Sequence, residues 1–571
     1  MSQPISVQDT VTAWDLSHFQ TFYAFFSFNF WRLQIFVLPL HAIFLKAKIR
    51  YMSNQQERAE LHKTIWKIAN DLRGSVDGWE FKAYVLGSIF YRFISENICD
   101  YIHQIMTEAG QPDFNYATID DAMAENIRKK MVEEKGYFIL PSQLFQNVVK
   151  TAENDENLNE KLTSIFRSIE ASAIGTPSED DLRGLFSDFS VDSAALGSTV
   201  IKRNQLLAKV LNTVAQMDLG TRYNSTTNDT FGDTYEFLMQ MYASEAGKSG
   251  GEFFTPQQVS ELLARLASYN NPHINKVYDP ACGSGSLLLK FAKTIGRQNE
   301  NLKYFGQEVN PTTYNLCRIN MFLHNVNFDN FDIRLEDTLL KPQHMQDAPF
   351  DAIVSNPPYS LKWEGKDNAL LINDERYAPA GVLAPKNNAD LAFTMHMLWH
   401  LSERGTAAIV EFPGVLYRGG DEKKIRQYLI KNNYVDTIIQ LPANLFFGVG
   451  IATCIIVLKK SAKPDSSVLF IDASNMFQKS GNKNVLLDEH LDKIMQLYQN
   501  RQDEQYLAKL VKNDDILEND ANLSVSSYVE QEDTREVIDI DEVNAKMFEL
   551  FSQGLKLQTD IFNIIAELKK Q

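Results

Sequence analysis

Between Gln55 and Met217 apolar side chains recur at helical spacing, with few alternating stretches to interrupt them. Leu61, Ile65, Ile68 and Leu72 mark one run; Val85, Ile89, Phe90, Phe93 and Ile94 fall in a longer one, Trp79 to Met106. Further helices are predicted around Asp120–Glu134, Pro141–Thr151, Leu158–Ile174 and Asn204–Met217, giving a helical N-terminal domain over 52–218. Core packing is sufficient reason for its aromatic face, which includes Trp66, Trp79 and Phe90. Past the polar stretch Thr221–Asp233 the period changes. Short apolar runs predict strands at Lys276–Asp279, Tyr304–Glu308, Phe331–Leu335, Phe350–Val354, Thr406–Glu411, Val435–Gln440 and Thr453–Leu458. Helical runs at Gln257–Ala267, Leu287–Thr294, Thr312–His324, Ala389–Ser402 and Asp421–Lys431 complete the alternation. That order predicts an α/β, doubly wound catalytic domain over 219–475. One more strand is expected at Val468–Ile471 and a helix at Glu489–Tyr498, the latter in a helical C-terminal region over 476–571. At its end Val543, Met547, Leu550, Gly554, Leu557, Ile561, Ile564 and Leu568 follow alternating steps of four and three, which predicts a long amphipathic helix over 541–570. Such a helix packs either on its own chain or on a partner.

Two turns at strand ends carry the candidate chemistry. Phe350-Asp351-Ala352-Ile353 runs into Val354-Ser355-Asn356-Pro357-Pro358-Tyr359, where two prolines stop the strand and stiffen the turn. Asn356, the carbonyl of Pro357 and the ring of Tyr359 together suit a planar ring bearing an exocyclic amine: two acceptors for its N–H groups and one stacking face. Accepting both protons draws the amine toward tetrahedral geometry and frees its lone pair. A polar turn that merely caps a strand is the plain alternative. The second turn is Asp279-Pro280-Ala281-Cys282-Gly283-Ser284-Gly285-Ser286, a strand, a glycine turn and a helix start, where backbone N–H groups are open to a ligand. It lacks the third glycine of a dinucleotide fingerprint, and Gly247-Lys248-Ser249 has Tyr242 where a P-loop requires glycine. Glu308 ends the second strand, where an acid commonly receives ribose hydroxyls, and Asp337 stands just past the third.

This pairing of Asp-Pro-Ala-Cys-Gly-Ser-Gly with a downstream Asn-Pro-Pro-Tyr resembles the S-adenosylmethionine-dependent amino-methyltransferases of DNA. More narrowly it is similar to the modification (M) subunit of type I restriction-modification systems, from about Met52 to the C-terminus and most specifically between Thr234 and Leu458. The resemblance implies a class I methyltransferase fold with a mixed seven-stranded sheet and an N6-adenine DNA methyltransferase activity using S-adenosylmethionine. It implies that Asn356, Pro357, Pro358 and Tyr359 are catalytic, and that Gly283, Ser284, Gly285, Asp279, Glu308 and Asp337 bind the donor. Phe254, Thr255 and Pro256 match a pattern that contacts the methionine part of the donor. The long segment Lys362–Lys386 is a candidate lid or DNA-contacting loop, whose Lys362, Lys366, Arg376 and Lys386 are available to touch phosphates; a solvated loop is the equal alternative. Arg418-Gly419-Gly420 and Leu441–Gly450 are expected to border the target base. Asp390-Leu391-Ala392-Phe393 matches the family as well, without a physical role to assign. The implied partners are double-stranded DNA, a specificity subunit, a restriction subunit and a second copy of the chain. Rival readings are a stand-alone DNA adenine methyltransferase, a methyltransferase for RNA, protein glutamine or cytosine N4, and a non-catalytic assembly subunit.

Composition narrows this further. At 571 residues the chain is long enough for several domains, and 44% apolar with 23% charged residues is ordinary for a globular protein. Cys99, Cys282, Cys317 and Cys454 are scattered, without metal-ligand spacing, which fits a reducing cytoplasm and no metal site. A net charge of −17 disfavours a DNA enzyme acting alone and favours a partner that supplies much of the phosphate contact. Residues 1–51 do not match the remainder: Phe19 to Leu45 is aromatic and apolar but broken by Arg32, Pro39 and His41. A membrane span needs about 20 mostly apolar residues, and a signal peptide would place its basic residues first. We therefore expect translation to begin at Met52; an anchor or a docking segment is the alternative, which intact mass of the native protein decides.

Overall fold

The computed structural model describes residues 78–217, 255–296, 301–446, 449–461, 463–481, 483–532 and 539–569, together with 219, 232, 234, 235 and 237–239. The expected extension 1–51, the helical run Leu61–Leu72, Trp66, the side chain of Trp79, the stretch 221–231 and Phe254 lie outside the described residues.

Helices α1 (Gly78–Glu108), α2 (Arg128–Lys135), α3 (Phe145–Ala152), α4 (Leu158–Ser172) and α5 (Val200–Gln216) form the N-terminal bundle. Its core is aromatic: Phe166 stacks on Phe186 at 4.3 Å between centroids, with Phe90 and Tyr91 packed around the pair. The same core reaches the second half of the chain, where Phe90 and Tyr137 both meet the ring of Phe322. A buried cation reinforces that junction. Arg318 donates through one nitrogen to the backbone carbonyls of Asp180, Asp181 and Arg183 while wholly enclosed. A guanidinium desolvated this far needs such a set of acceptors to be tolerated.

Helices α6 (Gln257–Ser268), α7 (Ser286–Ile295) and α8 (Pro311–Leu323) lie with the strands β1 (Lys276–Asp279), β2 (Lys303–Glu308), β3 (Phe331–Leu335) and β4 (Phe350–Ser355). Then follow α9 (Asp390–His400), β5 (Leu401–Glu411), α10 (Asp421–Lys431), β6 (Val435–Gln440), β7 (Cys454–Lys459) and β8 (Ser467–Asp472). The small hairpin β9 (Gln478–Ser480) and β10 (Lys483–Val485) precedes α11 (Asp488–Asn500) and β11 (Ala508–Lys512). The sheet order is β11-β8-β6-β7-β5-β4-β1-β2-β3, with β7 antiparallel to β5 and β6 and β11 antiparallel to β8. The seven expected strands are thus present as one mixed unit, and β8 and β11 extend it to nine. The sheet consequently runs past residue 475, through β11, and the C-terminal region contains strands as well as helices.

The central strands are buried on both faces, so they read as continuous apolar runs rather than alternating ones, whereas the edge strands β3 and β11 are partly exposed. In β7, Ile455 and Val457 face the core shared with α6, α7 and the N-terminal bundle, whereas Ile456 and Leu458 face the core shared with α9 and α10. One boundary differs from the periodicity: α9 ends at His400 and Leu401 joins β5, because Leu401 pairs with Phe350 across a bulge.

The segment after Tyr359 also differs from expectation. Arg376 is not set toward phosphate; it is buried. Its guanidinium is held by Asp374, by the carbonyls of Thr338 and Leu339 and by His396 Nδ1, which makes the segment an anchored piece of the fold. Since arginine only donates, His396 Nδ1 must accept, and its Nε2–H faces the Tyr278 hydroxyl. Burial drives His396 well below the usual histidine range, consistent with that neutral tautomer. Lys366 and Lys386 sit at the surface but pair with Asp421 and Asp367.

The last element, α12 (Ile540–Leu568), buries none of its side chains against the described residues. Beside the expected stripe of Val543, Met547, Leu550, Leu557, Ile561, Ile564 and Leu568 runs a second one, offset by one residue: Phe548, Phe551, Leu555, Phe562 and Ile565. Among the described residues no helix is long and apolar enough to cross a membrane.

Candidate active site

The carboxyl ends of β1, β2, β3 and β4 meet at one rim of the sheet, where the two sequence turns face each other. Asp279 closes β1 and is almost fully buried. Its Oδ1 accepts from the backbone of Ala281 and from the Ser355 hydroxyl at 2.8 Å, so the glycine turn and the strand that delivers Asn356 share one carboxylate. Burial, with the nearby Glu308 charge adding to it, pushes Asp279 up to about 7 from an ordinary 3.8; the two hydrogen bonds hold it back.

Gly283 and Gly285 adopt φ of +53° and +76°, a left-handed backbone that glycine takes without strain. At Gly285 there is a second requirement, since a Cβ there would stand 2.7 Å from Cys317 Sγ. The turn is fastened to the next strand end: Glu308 accepts from the Gly283 amide through Oε2 and from the Asn310 amide through Oε1. Burial raises the Glu308 carboxyl above its ordinary value despite those donors. Ser284 is buried, with its carbonyl held by Asn320 Nδ2. Asp337 is half-buried past β3, its Oδ1 accepting from Leu339 and Leu340, and Thr338 beside it donates to the Pro280 carbonyl at 2.6 Å. The Cys282 thiol packs against Gly306, and its contact with Cys317 together with burial drives it far above the usual thiol range.

Asn356 follows β4 and is 7% exposed. Its amide nitrogen donates to Thr255 Oγ1 at 3.0 Å, and its oxygen accepts from the Tyr359 hydroxyl at 2.6 Å. Thr255-Pro256 immediately precedes α6, so this bond ties the start of α6 to the turn. Pro357 is buried and Pro358 half-buried. Tyr359 is half-buried, with the ring of Phe446 edge-on at 6.3 Å; burial keeps its phenol neutral by raising it well above its ordinary range.

The structure therefore brings Asp279, Gly283, Ser284, Gly285 and Glu308 into one cluster and Thr255 and Asn356 into contact. Asp337 is tied to the same cluster through its neighbour Thr338, and Pro256, Pro357 and Pro358 shape the backbone around it. Sequence reasoning missed Ser355 and Thr338, whose hydroxyls link the turns, and it left Phe446 unspecified within its loop. No spacing signal marks such groups, because their partners lie 76 and 58 residues away. Asp390, noted as a pattern without a role, lies against the exit of the Asn356–Tyr359 turn and accepts from the Ser360 amide at 2.9 Å.

The strand order and the two strand-end turns define a class I methyltransferase. Residues 226–537 match the N-6 DNA Methylase family, and residues 61–214 match the HsdM N-terminal domain. The methylase subunit of the type I restriction enzyme MpnII of Mycoplasma pneumoniae is 44% identical over 529 residues, covering 90% of this chain and 97% of that one. The HindI methylase subunit of Haemophilus influenzae is 31% identical over 344 residues, covering 59% and 70%. The crystal structure of a type I restriction-modification methyltransferase subunit from Streptococcus thermophilus superposes with a TM-score of 0.74 at 36% identity, covering 83% of this chain and all of that one. The chain belongs to the N-6 DNA methylases, in the family of type I restriction enzyme methylase subunits.

Proposed function

We propose that the chain transfers a methyl group from S-adenosylmethionine to N6 of an adenine flipped out of duplex DNA, as the modification subunit of a type I complex. The observation that carries this reading is the bond network Asp279–Ser355 and Thr255–Asn356, which sets an amide acceptor one strand away from a glycine turn with acids at three successive strand ends. S-adenosylmethionine, when bound, supplies a methyl group on a cationic sulfur. The residues present suit it: each Glu308 oxygen engages one backbone amide and keeps a lone pair for a ribose hydroxyl, and Gly283 and Gly285 leave the turn bare. Phe254, Thr255 and Pro256 would line the methionine end and Asp337 the adenine amino group.

On the target side, Asn356 Oδ1 and the Pro357 carbonyl accept the two N6 protons while Tyr359 stacks the ring and Phe446 borders it. Pro357 and Pro358 keep that turn extended. Base flipping is needed because the exocyclic amine cannot reach Asn356 inside a stacked duplex. No strong base is called for; catalysis is positioning and polarisation. The protein works in the cytoplasm, with residues 52–218 as the helical unit, a catalytic unit that begins at 219 and extends past 475 to include β11, and the remainder to 571 as the C-terminal unit.

A specificity subunit supplies sequence recognition, with a restriction subunit and a second copy of this chain in the full assembly. The two offset apolar stripes of α12 support this, since together they form a face broader than a single two-helix seam, suited to packing among neighbouring helices. The chain's net charge of −17 agrees with a partner that carries much of the phosphate contact. The deciding experiment is tritiated methyl transfer to duplex DNA, with the chain alone and with its specificity subunit. Transfer only in the mixture is expected. Sequence-specific transfer by the chain alone would sink the partner dependence, and donor binding without transfer to DNA in either case would sink the DNA reading.

Asp279 makes donor binding depend on pH. Because the folded carboxyl titrates near 7 instead of 3.8, the fold favours the neutral form, and this group's contribution to stability is lost as pH rises from about 4 through 7. A cationic donor favours the carboxylate. Donor affinity should therefore be about tenfold weaker at pH 6 than at pH 8 and level off above. Asp279→Asn should flatten that profile in calorimetric titration; a parallel profile in the variant would remove Asp279 as its source.

A further inference from the structure

Asp390 opens α9 yet does not behave as an ordinary first-turn acid. Such carboxylates stand in solvent near the helix N-terminus, where the dipole favours them. This one is 1% exposed and makes no bond to its own helix. Its Oδ1 instead accepts from the amide of Ser360, the residue directly after Tyr359. Ser360 stands at φ +53°, a left-handed conformation that a non-glycine residue holds only when its surroundings over-determine it. A second bond runs the other way, from the Ala389 amide to the Leu361 carbonyl at 3.0 Å. The exit of the Asn356–Tyr359 turn is thus clamped at two successive residues to the start of α9.

The other oxygen of Asp390 is buried without a hydrogen-bond partner, as is Oε2 of Glu411, whose Oε1 accepts from Thr394 one turn further along α9. Glu411 closes β5, the strand beside β4, and is fully enclosed. Burying carboxylate oxygens away from protein donors is costly. A merely structural turn would be held as well by a solvent-exposed Asn or Ser cap, whereas a buried carboxylate gives a short, rigid, charge-assisted bond.

We propose that Asp390 is a positioning residue for methyl transfer, which fixes Asn356 and Tyr359 on the target amine by locking the left-handed exit of their turn. The inference rests on reading Asn356–Tyr359 as the target-amine turn. Without the Ser360 bond the exit relaxes toward ordinary φ, and the amide acceptor and stacking ring move by the fraction of an ångström that separates productive from idle geometry. Donor binding, carried by the ends of β1 and β2, stays as it is.

The test compares Asp390→Ala, Asp390→Asn and Asn356→Ala in the chain assembled with its specificity subunit. It reads kcat for tritium transfer, donor Kd by calorimetry, and thermal midpoint. Asp390→Ala should lower kcat by about 30- to 100-fold with donor Kd within twofold. Asp390→Asn keeps an acceptor for the Ser360 amide, so kcat should stay within about threefold. Equal losses in the two Asp390 variants, or a joint loss of kcat and donor binding, would overturn the proposal as a general collapse. Asp390→Ala with normal kcat while Asn356→Ala is inactive would sink this inference alone. Full transfer by Asn356→Ala would sink the reading of the turn and this inference with it.

Discussion

Asn356→Ala is expected to lower the transfer rate constant by about 10²- to 10³-fold, the usual cost of removing one preorganised polar group from a reacting centre. Donor affinity should change little, because among the described residues the donor-side hydrogen bond of the Asn356 side chain is the one to Thr255. Apart from the Tyr359 hydroxyl, which would be left without its acceptor, the cavity change is small. Loss of kcat with donor Kd intact places the residue at the target amine. A matched loss of donor affinity would place it at the donor instead. Single-turnover transfer on duplex DNA, with donor calorimetry on the same preparation, separates the two. Tyr359→Phe provides the control: it removes the hydroxyl but keeps the stacking face, so its loss should be far smaller than that of Asn356→Ala.

The second large effect is expected from removing residues 540–571. Because α12 buries nothing among the described residues, its loss should leave the thermal midpoint and donor binding of the remaining chain unchanged. Assembly with the specificity subunit should be abolished, and with it transfer to DNA. Large apolar side chains at more than half exposure, such as Phe548, Phe551, Leu557 and Phe562, are costly to leave in water along one helix, and a partner that covers them recovers that cost. Size-exclusion chromatography of the mixture reads the outcome directly. Retained assembly would mean that the interface lies elsewhere; loss of donor binding would mean that α12 folds back on its own chain. Charged substitutions distinguish the two seams: Leu557→Asp and Phe562→Asp should each weaken assembly if two neighbouring helices are engaged, and only one should do so if a single helix is.

Much of this protein was legible along the chain. The alternation of strands and helices from Lys276 to Leu458 is a local property, because strands buried on both faces are written as unbroken apolar runs and their helices as amphipathic ones. The two turns were legible for the same reason. Prolines at 357 and 358 and glycines at 283 and 285 constrain the backbone by themselves, wherever the rest of the chain goes. The long helix α12 was equally plain from its period of seven.

What the tertiary structure decided is everything that depends on pairs distant in sequence. Strand β11 and the pairing of Leu401 with Phe350 follow from register, which a short strand on its own does not encode. Arg376 shows the limit most clearly: a basic residue in a polar segment reads as a surface cation, yet here it is buried because Thr338, Leu339, Asp374 and His396 converge on it. Asp390 shows it again, since only folding brings the first residue of α9 to the amide of Ser360, thirty residues earlier. Sequence by itself determined which backbone segments can be strand, helix or rigid turn, because those choices are made by neighbouring residues. The burial of charges and the bonds that aim Asn356 were left to the fold, because a hydrogen bond between distant residues has no period to betray it.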